Sequence, residues 1–357
     1  MRDYSIDNSE KLPSDLTDQT TLDKTIAKTS LKIQNGTKHK SWTRIAGKTT
    51  FTESRNLAQL IPCERLFLKF EGNNPTGTQK DRIAFLLAEN AKIMAYTGIT
   101  TATCGNFGAA LAYAACTFQI PKCEIYLPKG YHVPKSRLDI IHRYNAEVRY
   151  IEGTYEDAVE YSSLIAKSNN WYDANPGSNG VSQLSLDAYA EISLEIFREL
   201  RKAPDYVLCP VGNGTTLAGI YLGFKKLFYE NKIKKIPRVV ACSTRRGNPI
   251  IKSYKLHSKG ILVLNPEEIT ETKINEPLTN WKALDGQEAL DAIYESQGFG
   301  EYASETQMLK FAKFLKEEEG LNVHPASAST LAVLAGITKN NVPIKGTYVA
   351  ILTGRDV

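Results

Sequence analysis

The chain has 357 residues, 42% hydrophobic and 23% charged, the composition of a globular protein with length for a sizeable core and about two domains. A net charge of +5 from 44 basic and 39 acidic residues is too mild an excess for a nucleic-acid-binding surface, and no apolar run is long enough to cross a membrane.

Residues 1–45 read as a polar arm rich in Thr, Ser, Asp and Lys. The arm has neither a signal-peptide core nor the acid-poor pattern of an organelle transit peptide. The six cysteines are Cys63, Cys104, Cys116, Cys123, Cys209 and Cys242. None forms a C-x-x-C pair, so no metal site is expected from local spacing. They read as buried free thiols in a reducing compartment, which implies a cytoplasmic protein.

From residue 64 onward, strand and helix patterns alternate. The strand-like runs are "RLFLKF" (65–70), "GITTATC" (98–104), "CEIYLP" (123–128), "AEVRYI" (146–151), "DYVLCPV" (205–211), "RVVACS" (238–243) and "TYVAIL" (347–352). Apolar residues three and four apart fill the intervals, as in Ile83/Leu86/Leu87 and Leu184/Ala188/Ile192/Ile196. This alternation predicts an α/β fold with mostly parallel sheets. Two sheets fit the strand number better than one. The expected division is a large domain of residues 46–95 and 185–357 and a small domain of residues 96–184. Near the end, Ser304 and Gln307 form a capping box for a helix that stops before Gly320.

Three turns stand out. In "NNPTGTQKDR" (73–82), Lys80 sits where a strand and turn hand over to a helix. A lysine held out of bulk water there can form a Schiff base with a carbonyl, and the positive end of the helix dipole disfavours its protonation. Read alone, it is better taken as an ordinary solvated surface lysine. In "TATCGNFGAALA" (101–112), Gly105 and Gly108 allow close backbone approach, and the free N–H groups of a helix start can receive a carboxylate. In "CPVGNGTTLAGIYLGF" (209–224), Gly212, Asn213, Gly214, Thr215 and Thr216 offer successive N–H groups and two hydroxyls, a phosphate cradle. It lacks the Gly-Lys-Ser/Thr of a P-loop, and Gly212-x-Gly214 only begins a dinucleotide fingerprint.

In this order the three turns resemble the fold-type II family of pyridoxal-phosphate enzymes, with the closest likeness to the threonine synthases. "NNPTGTQKDR", "TCGNFGAALA", "EEEGLNVHPASASTLAVLAGI" (317–337), "INEPLTNWKAL" (274–284) and the terminal "AILTGRDV" carry the likeness, which runs from about residue 43 to the end. The resemblance implies two three-layer α/β domains with pyridoxal 5'-phosphate in the cleft between them, an amino-acid substrate and a homodimer. It makes Lys80 the lysine that carries the cofactor and moves protons at the substrate. Asn106 becomes the partner of the ring hydroxyl, Gly212 through Thr216 the phosphate cradle and Thr353 the partner of the ring nitrogen. Thr103, Cys104, Gly105 and Phe107 fall in the loop that closes on the substrate carboxylate.

The departures from the family pattern fall on the substrate side. Gln79 stands where Phe is usual, Cys104 where Ser is usual, and Phe107 where Thr is usual. His324 replaces Glu, and Arg245-Arg246 fall in a stretch that is normally acidic. The implied activity is threonine-synthase-like elimination or replacement at a β or γ carbon. The alternatives are a cysteine-synthase-like β-replacement enzyme, an ammonia-lyase, and a non-catalytic binding protein. The two arginines read equally as a clamp on an anionic substrate group or as exposed loop residues; His324 reads as a packing or capping residue.

Overall fold

Each of those strand-like runs becomes a strand in the computed structural model, which describes residues 41–356 other than Arg55, Cys104, Tyr131, His132, Asn179 and 339–343. In chain order the strands are β1 (Thr50–Glu53), β2 (Cys63–Phe70), β3 (Gly98–Ala102), β4 (Lys122–Pro128), β5 (Glu147–Ile151), β6 (Tyr172–Asp173), β7 (Tyr206–Pro210), β8 (Arg238–Thr244), β9 (Phe299–Ala303) and β10 (Ile344–Leu352). The helices are α1 (Lys80–Ile93), α2 (Asn106–Thr117), α3 (Lys135–Arg143), α4 (Tyr155–Asn169), α5 (Val181–Leu200), α6 (Thr215–Tyr229), α7 (Pro249–Lys255), α8 (Gly286–Glu295), α9 (Glu305–Glu318) and α10 (Ser329–Ile337).

Two sheets form. The larger has the order β1-β2-β10-β7-β8-β9, parallel throughout except for the antiparallel edge pair β1–β2. The smaller, β5-β4-β3-β6, is wholly parallel. The period-2 alternation of a strand explains why helices cover both faces of the larger sheet. Val207 and Cys209 of β7, with Val349 and Ile351 of β10, pack into one core with α5 and α6. Leu208, Ala350 and Leu352, the residues between and after them, pack into a second core with Met308, Phe311 and Leu315 of α9 and Leu331 and Leu334 of α10.

Three strands have no counterpart in the sequence reading. β1 is a short edge strand with no fully buried residue, β6 has two residues, and β9 carries Gly300 and Glu301 in mid-strand. None presents an apolar run long enough to register as a strand. The Ser304/Gln307 capping box is formed, and α9 ends ahead of Gly320, whose φ is +69°. The expectation of buried thiols needs one correction: Cys123, Cys209 and Cys242 are buried, but Cys63 is half-buried and Cys116 is exposed on the outer face of α2. No helix among the described residues is long and apolar enough to cross a membrane.

Parallel strands bring their carboxyl ends to one edge. β2 ends before the Lys80 turn, β7 before Gly212 and β10 before Thr353, while β3 ends before Thr103 in the smaller sheet. All three turns singled out in the sequence therefore leave the carboxyl ends of strands, where open α/β sheets bind ligands.

Candidate active site

The lysine turn is built almost entirely from bonds to its own polar residues. Asn74 Nδ2 donates to the Glu71 carbonyl and to Glu71 Oε2, both at 2.9 Å, and Asn74 Oδ1 accepts from the Gly47 N–H at 2.8 Å. Asp81 accepts from the Thr76 N–H and from Thr76 Oγ1, both at 2.9 Å. Arg137 of α3 reaches the same residue, donating Nη1 to the Thr76 carbonyl at 2.7 Å. The Gln79 N–H donates to the Thr353 carbonyl at 2.9 Å, and Thr78 bridges to Gly354, so the end of β10 is joined directly to the lysine turn.

Behind the turn lies a buried ionic cluster. Arg82 grips Glu71 with Nε and Nη2 at 2.6 and 2.8 Å, and Glu195 of α5 with Nη1 and Nη2 at 2.8 and 2.9 Å. Lys69 donates to Glu195 Oε2 at 2.6 Å and to the Thr49 carbonyl at 2.8 Å, and Thr49 Oγ1 donates to Glu71 at 2.6 Å. Burial raises the Glu71 and Glu195 carboxyls, but Arg82 outweighs it: Glu71 is held below the usual carboxylate range and Glu195 at about 2. The cluster ties β2, α1 and α5 together, its Arg82 two residues along the helix from Lys80.

Lys80 itself is spared. It opens α1, it is half-buried, and no hydrogen bond or ion pair to a described residue engages its Nζ. Burial pushes the amine down from the ordinary lysine value, against the attraction of Asp285 and then Glu276. Such an amine loses its proton more readily than a surface lysine, as nucleophilic or proton-moving work requires.

Beside it, Asp81 is pushed up by burial to about 6, against the bonds from Thr76 and Thr78 and the charge of Arg137. A buried acid favoured in its protonated form costs stability as pH rises from its ordinary 3.8 through about 6. The stability of Asp81→Asn relative to the unsubstituted protein is therefore expected to rise by about 2.4 kcal/mol between pH 4 and pH 7, read from urea midpoints at each pH.

The second turn is braced from within. Thr103 Oγ1 accepts from the Gly105 N–H at 3.1 Å and the Gly108 N–H at 3.3 Å, so Thr103 shapes the loop rather than presenting its hydroxyl outward. Gly105 has φ +135°, and a Cβ there would stand 3.3 Å from Val133 Cγ1 and 3.8 Å from Arg137 Cγ. Gly105→Ala is expected to cost about 1–3 kcal/mol of stability, measured by thermal unfolding, because only glycine accepts that backbone without strain. Asn106 is the first residue of α2 and its side chain does not cap the helix, since Gly105 occupies the cap position. Phe107 is half-buried against the core and gives this helix start an apolar wall. Cys104, the remaining residue assigned to this loop, lies outside the described residues.

The third turn is the start of α6. Gly214 takes φ +93° at the cap position, and no side chain caps the helix. A Cβ on Gly214 would stand 2.6 Å from Ala289 Cβ, and one on Gly212 would stand 2.5 Å from the Pro277 carbonyl oxygen, so the segment from Pro277 to Ala289 closes directly over the turn. Asn213 Oδ1 accepts from Asn280 Nδ2, and from the Leu284 N–H at 3.3 Å. Thr215 Oγ1 donates to Asp285 Oδ2 at 2.5 Å. Thr216 is buried on the next position of α6.

Several residues that support the site gave no sign in the sequence reading. Asn248 Nδ2 donates to the carbonyls of Val211 (3.0 Å), Leu278 (3.2 Å) and Gly212 (3.3 Å), fixing the end of β7 against the overlying segment. Ser243 Oγ donates to the same Val211 and Leu278 carbonyls at 2.8 and 3.1 Å. Ser327 Oγ lies 2.8 Å from Thr353 Oγ1 and accepts from the Gly354 N–H at 3.1 Å, so the Thr353 hydroxyl is held at the end of β10. The only sequence signal was the Asn248-Pro249 pair, which marks a helix start. His324 behaves as a cap: its Nδ1 accepts from the Ala326 N–H at 3.2 Å, and burial pushes its pKa down, aided by Arg137 and opposed by Asp356. Arg245 and Arg246 are exposed; Arg245 lies 5.4 Å from the Tyr302 ring centre, and Arg246 Nε lies 3.4 Å from Glu305.

These features fit a phosphate-bearing aldehyde cofactor. There is an amine with no described partner, a glycine-lined helix start with no side-chain cap, and a fixed hydroxyl at the neighbouring strand end. The family model for pyridoxal-phosphate dependent enzymes matches residues 43–354. The threonine synthase of Methanocaldococcus jannaschii is 31% identical over 300 residues, covering 83% of this chain and 71% of that protein. The threonine synthase of Methanosarcina acetivorans is 30% identical over 315 residues, covering 86% and 74%. Among solved structures, serine racemase from Dictyostelium discoideum superposes with a TM-score of 0.71 at 21% identity over 89% of this chain and 96% of that one, a likeness of fold alone. The chain belongs to the pyridoxal-phosphate dependent enzymes of fold type II, and within them it is threonine-synthase-like.

Proposed function

We propose that the chain catalyses elimination or replacement at the β or γ carbon of an amino acid, with O-phosphohomoserine or a related substituted amino acid as substrate. The observation that carries this reading is Lys80: a desolvated amine, free of described partners, in a turn bonded directly to Thr353 and under the charge of the Asp285 that touches Thr215. The identity with threonine synthases supports the choice of reaction.

Bound pyridoxal phosphate supplies an electron sink for negative charge at the substrate's α and β carbons. The N–H groups at the start of α6, with Thr215 and Thr216, hold its phosphate, and Asn106 is the partner for the ring hydroxyl. The Thr353 hydroxyl, fixed by Ser327, is the partner for the ring nitrogen. A neutral hydroxyl leaves that nitrogen less protonated than a carboxylate would, which favours elimination and replacement over transamination. Lys80 accepts the α proton and returns a proton to the product. The backbone N–H groups of Asn106 and Phe107, at the start of α2, receive the substrate carboxylate.

Phe107 favours a second reading. An apolar ring at the substrate-side helix start suits a β-substituted substrate handled by a cysteine-synthase-like or ammonia-lyase reaction. Incubation with O-phosphohomoserine is expected to release inorganic phosphate and threonine. Turnover of phosphoserine, O-acetylserine or serine with no threonine from O-phosphohomoserine would favour the second reading, and turnover of none of them would sink both.

The division of strands between two sheets supports a small domain of residues 96–184 beside a large one of residues 46–95 and 185–357. The free thiols support a reducing, cytoplasmic setting. The family likeness supports a homodimer, which light scattering of the purified enzyme would test.

A further inference from the structure

Asp285 is out of place for an ordinary helix cap. It stands immediately before α8, yet its side chain makes no capping bond to that helix. Its carboxylate instead turns to the start of α6, where Oδ2 accepts from Thr215 Oγ1 at 2.5 Å. The residue is buried, and although its charge bears on Lys80, no lysine or arginine among the described residues forms a salt bridge with it. Its backbone closes on the same place, for a Cβ on Gly214 would stand 3.0 Å from the Asp285 carbonyl oxygen. A carboxylate thus occupies the mouth of an uncapped, glycine-lined helix start, the environment that attracts anions. The cofactor's phosphate, itself an anion, belongs at that same end of α6.

We propose that Asp285 is the resident anion of the phosphate cradle: it holds the Thr215 hydroxyl, and its negative charge weakens the grip of the cradle on the phosphate of pyridoxal phosphate. This rests on the cofactor assignment above. Two anions on one helix start repel each other, and a site shielded from water screens them poorly. The phosphate must also draw Thr215 away from the carboxylate. Asp285 therefore sets how tightly the phosphate is held, in addition to its charge on Lys80.

The test compares the unsubstituted protein with Asp285→Asn, which keeps an oxygen for Thr215 and removes the charge. Both are stripped of cofactor and titrated by equilibrium dialysis, once with pyridoxal phosphate and once with pyridoxal, which has the aldehyde but no phosphate. Asp285→Asn is expected to bind pyridoxal phosphate at least about tenfold more tightly, with a clearly smaller gain for pyridoxal, which shares the loss of the Asp285 charge on Lys80 but not the removed repulsion on the phosphate. The rise in melting temperature on adding pyridoxal phosphate is expected to be larger in the variant than in the unsubstituted protein. Equal or weaker binding of pyridoxal phosphate by a folded variant would overturn this inference and leave the cofactor assignment standing. An equal gain for pyridoxal would also overturn it, since the effect would then act through Lys80 or a general loosening of the site and not through the phosphate. Failure of both proteins to bind pyridoxal phosphate would overturn the cofactor assignment, and the inference with it.

Discussion

Lys80→Ala is expected to lose at least about 10³-fold in turnover of any amino-acid substrate and to lose the covalent hold on pyridoxal phosphate. The expectation follows from what the turn does with its other residues. Asn74, Thr76, Asp81 and Arg82 are all consumed by bonds within the scaffold, and Lys80 is not. Alanine at the first position of α1 breaks none of those bonds, so the fold should survive with a melting temperature close to that of the unsubstituted protein. Retention of phosphate-dependent cofactor binding by a catalytically dead, folded Lys80→Ala would separate the two halves of the site: the α6 cradle holds, and the amine reacts. Turnover within tenfold of the unsubstituted enzyme would mean that another group does the proton-moving work.

Arg82→Met is expected to have the largest effect on stability. The guanidinium is fully buried between Glu71 and Glu195, and its loss leaves two carboxylates in a low-dielectric interior with only Lys69 to answer them. Breaking such a group by removing one member costs about 3–5 kcal/mol, because Lys69 alone cannot balance two buried carboxylates. Urea unfolding at pH 7 measures it. The pH dependence offers a second check. In the unsubstituted protein Glu195 is held at about 2, so its contribution is present in full above its ordinary 4.5 and is lost as pH falls towards 2. Without Arg82 that acid-side loss should shrink. A double variant that also replaces Glu71 with leucine is expected to recover part of the stability, because it removes a buried charge that no longer has its partner. If Arg82→Met unfolds at the same urea concentration as the unsubstituted protein, the cluster is not a structural tie between β2, α1 and α5.

The parts of the site legible in the sequence were those written in consecutive residues. A glycine at a βα turn, a lysine at a helix entrance and a capping box each act on neighbours a few positions away. The Lys80 turn, the Gly105 turn and the Gly212–Thr216 turn accordingly stand at strand ends as their local patterns required. Residues whose work is done across the fold left no such trace. Asp285 meets Thr215 across 70 positions, Arg137 meets Thr76 across 61, and Asn248 meets the Val211 carbonyl across 37. Each looks in the sequence like an ordinary polar residue in a loop or helix, and only the closing of the parallel sheets brings it to the site. Thr103 illustrates the opposite case, a residue legible in place but not in action, since its hydroxyl braces the Gly105 and Gly108 N–H groups. Arg245 and Arg246, which the sequence left open as an anion clamp, are instead exposed and engaged with Tyr302 and Glu305.

The claim on which the rest depends is that Lys80 carries the cofactor. Reconstituting the enzyme with pyridoxal phosphate, fixing it by borohydride reduction and mapping the modified peptide by mass spectrometry tests that claim directly. The account predicts a pyridoxyl-phosphate mass on Lys80, in the peptide containing "NNPTGTQK". A stoichiometric modification on a different lysine, or none after saturating reconstitution, would contradict it.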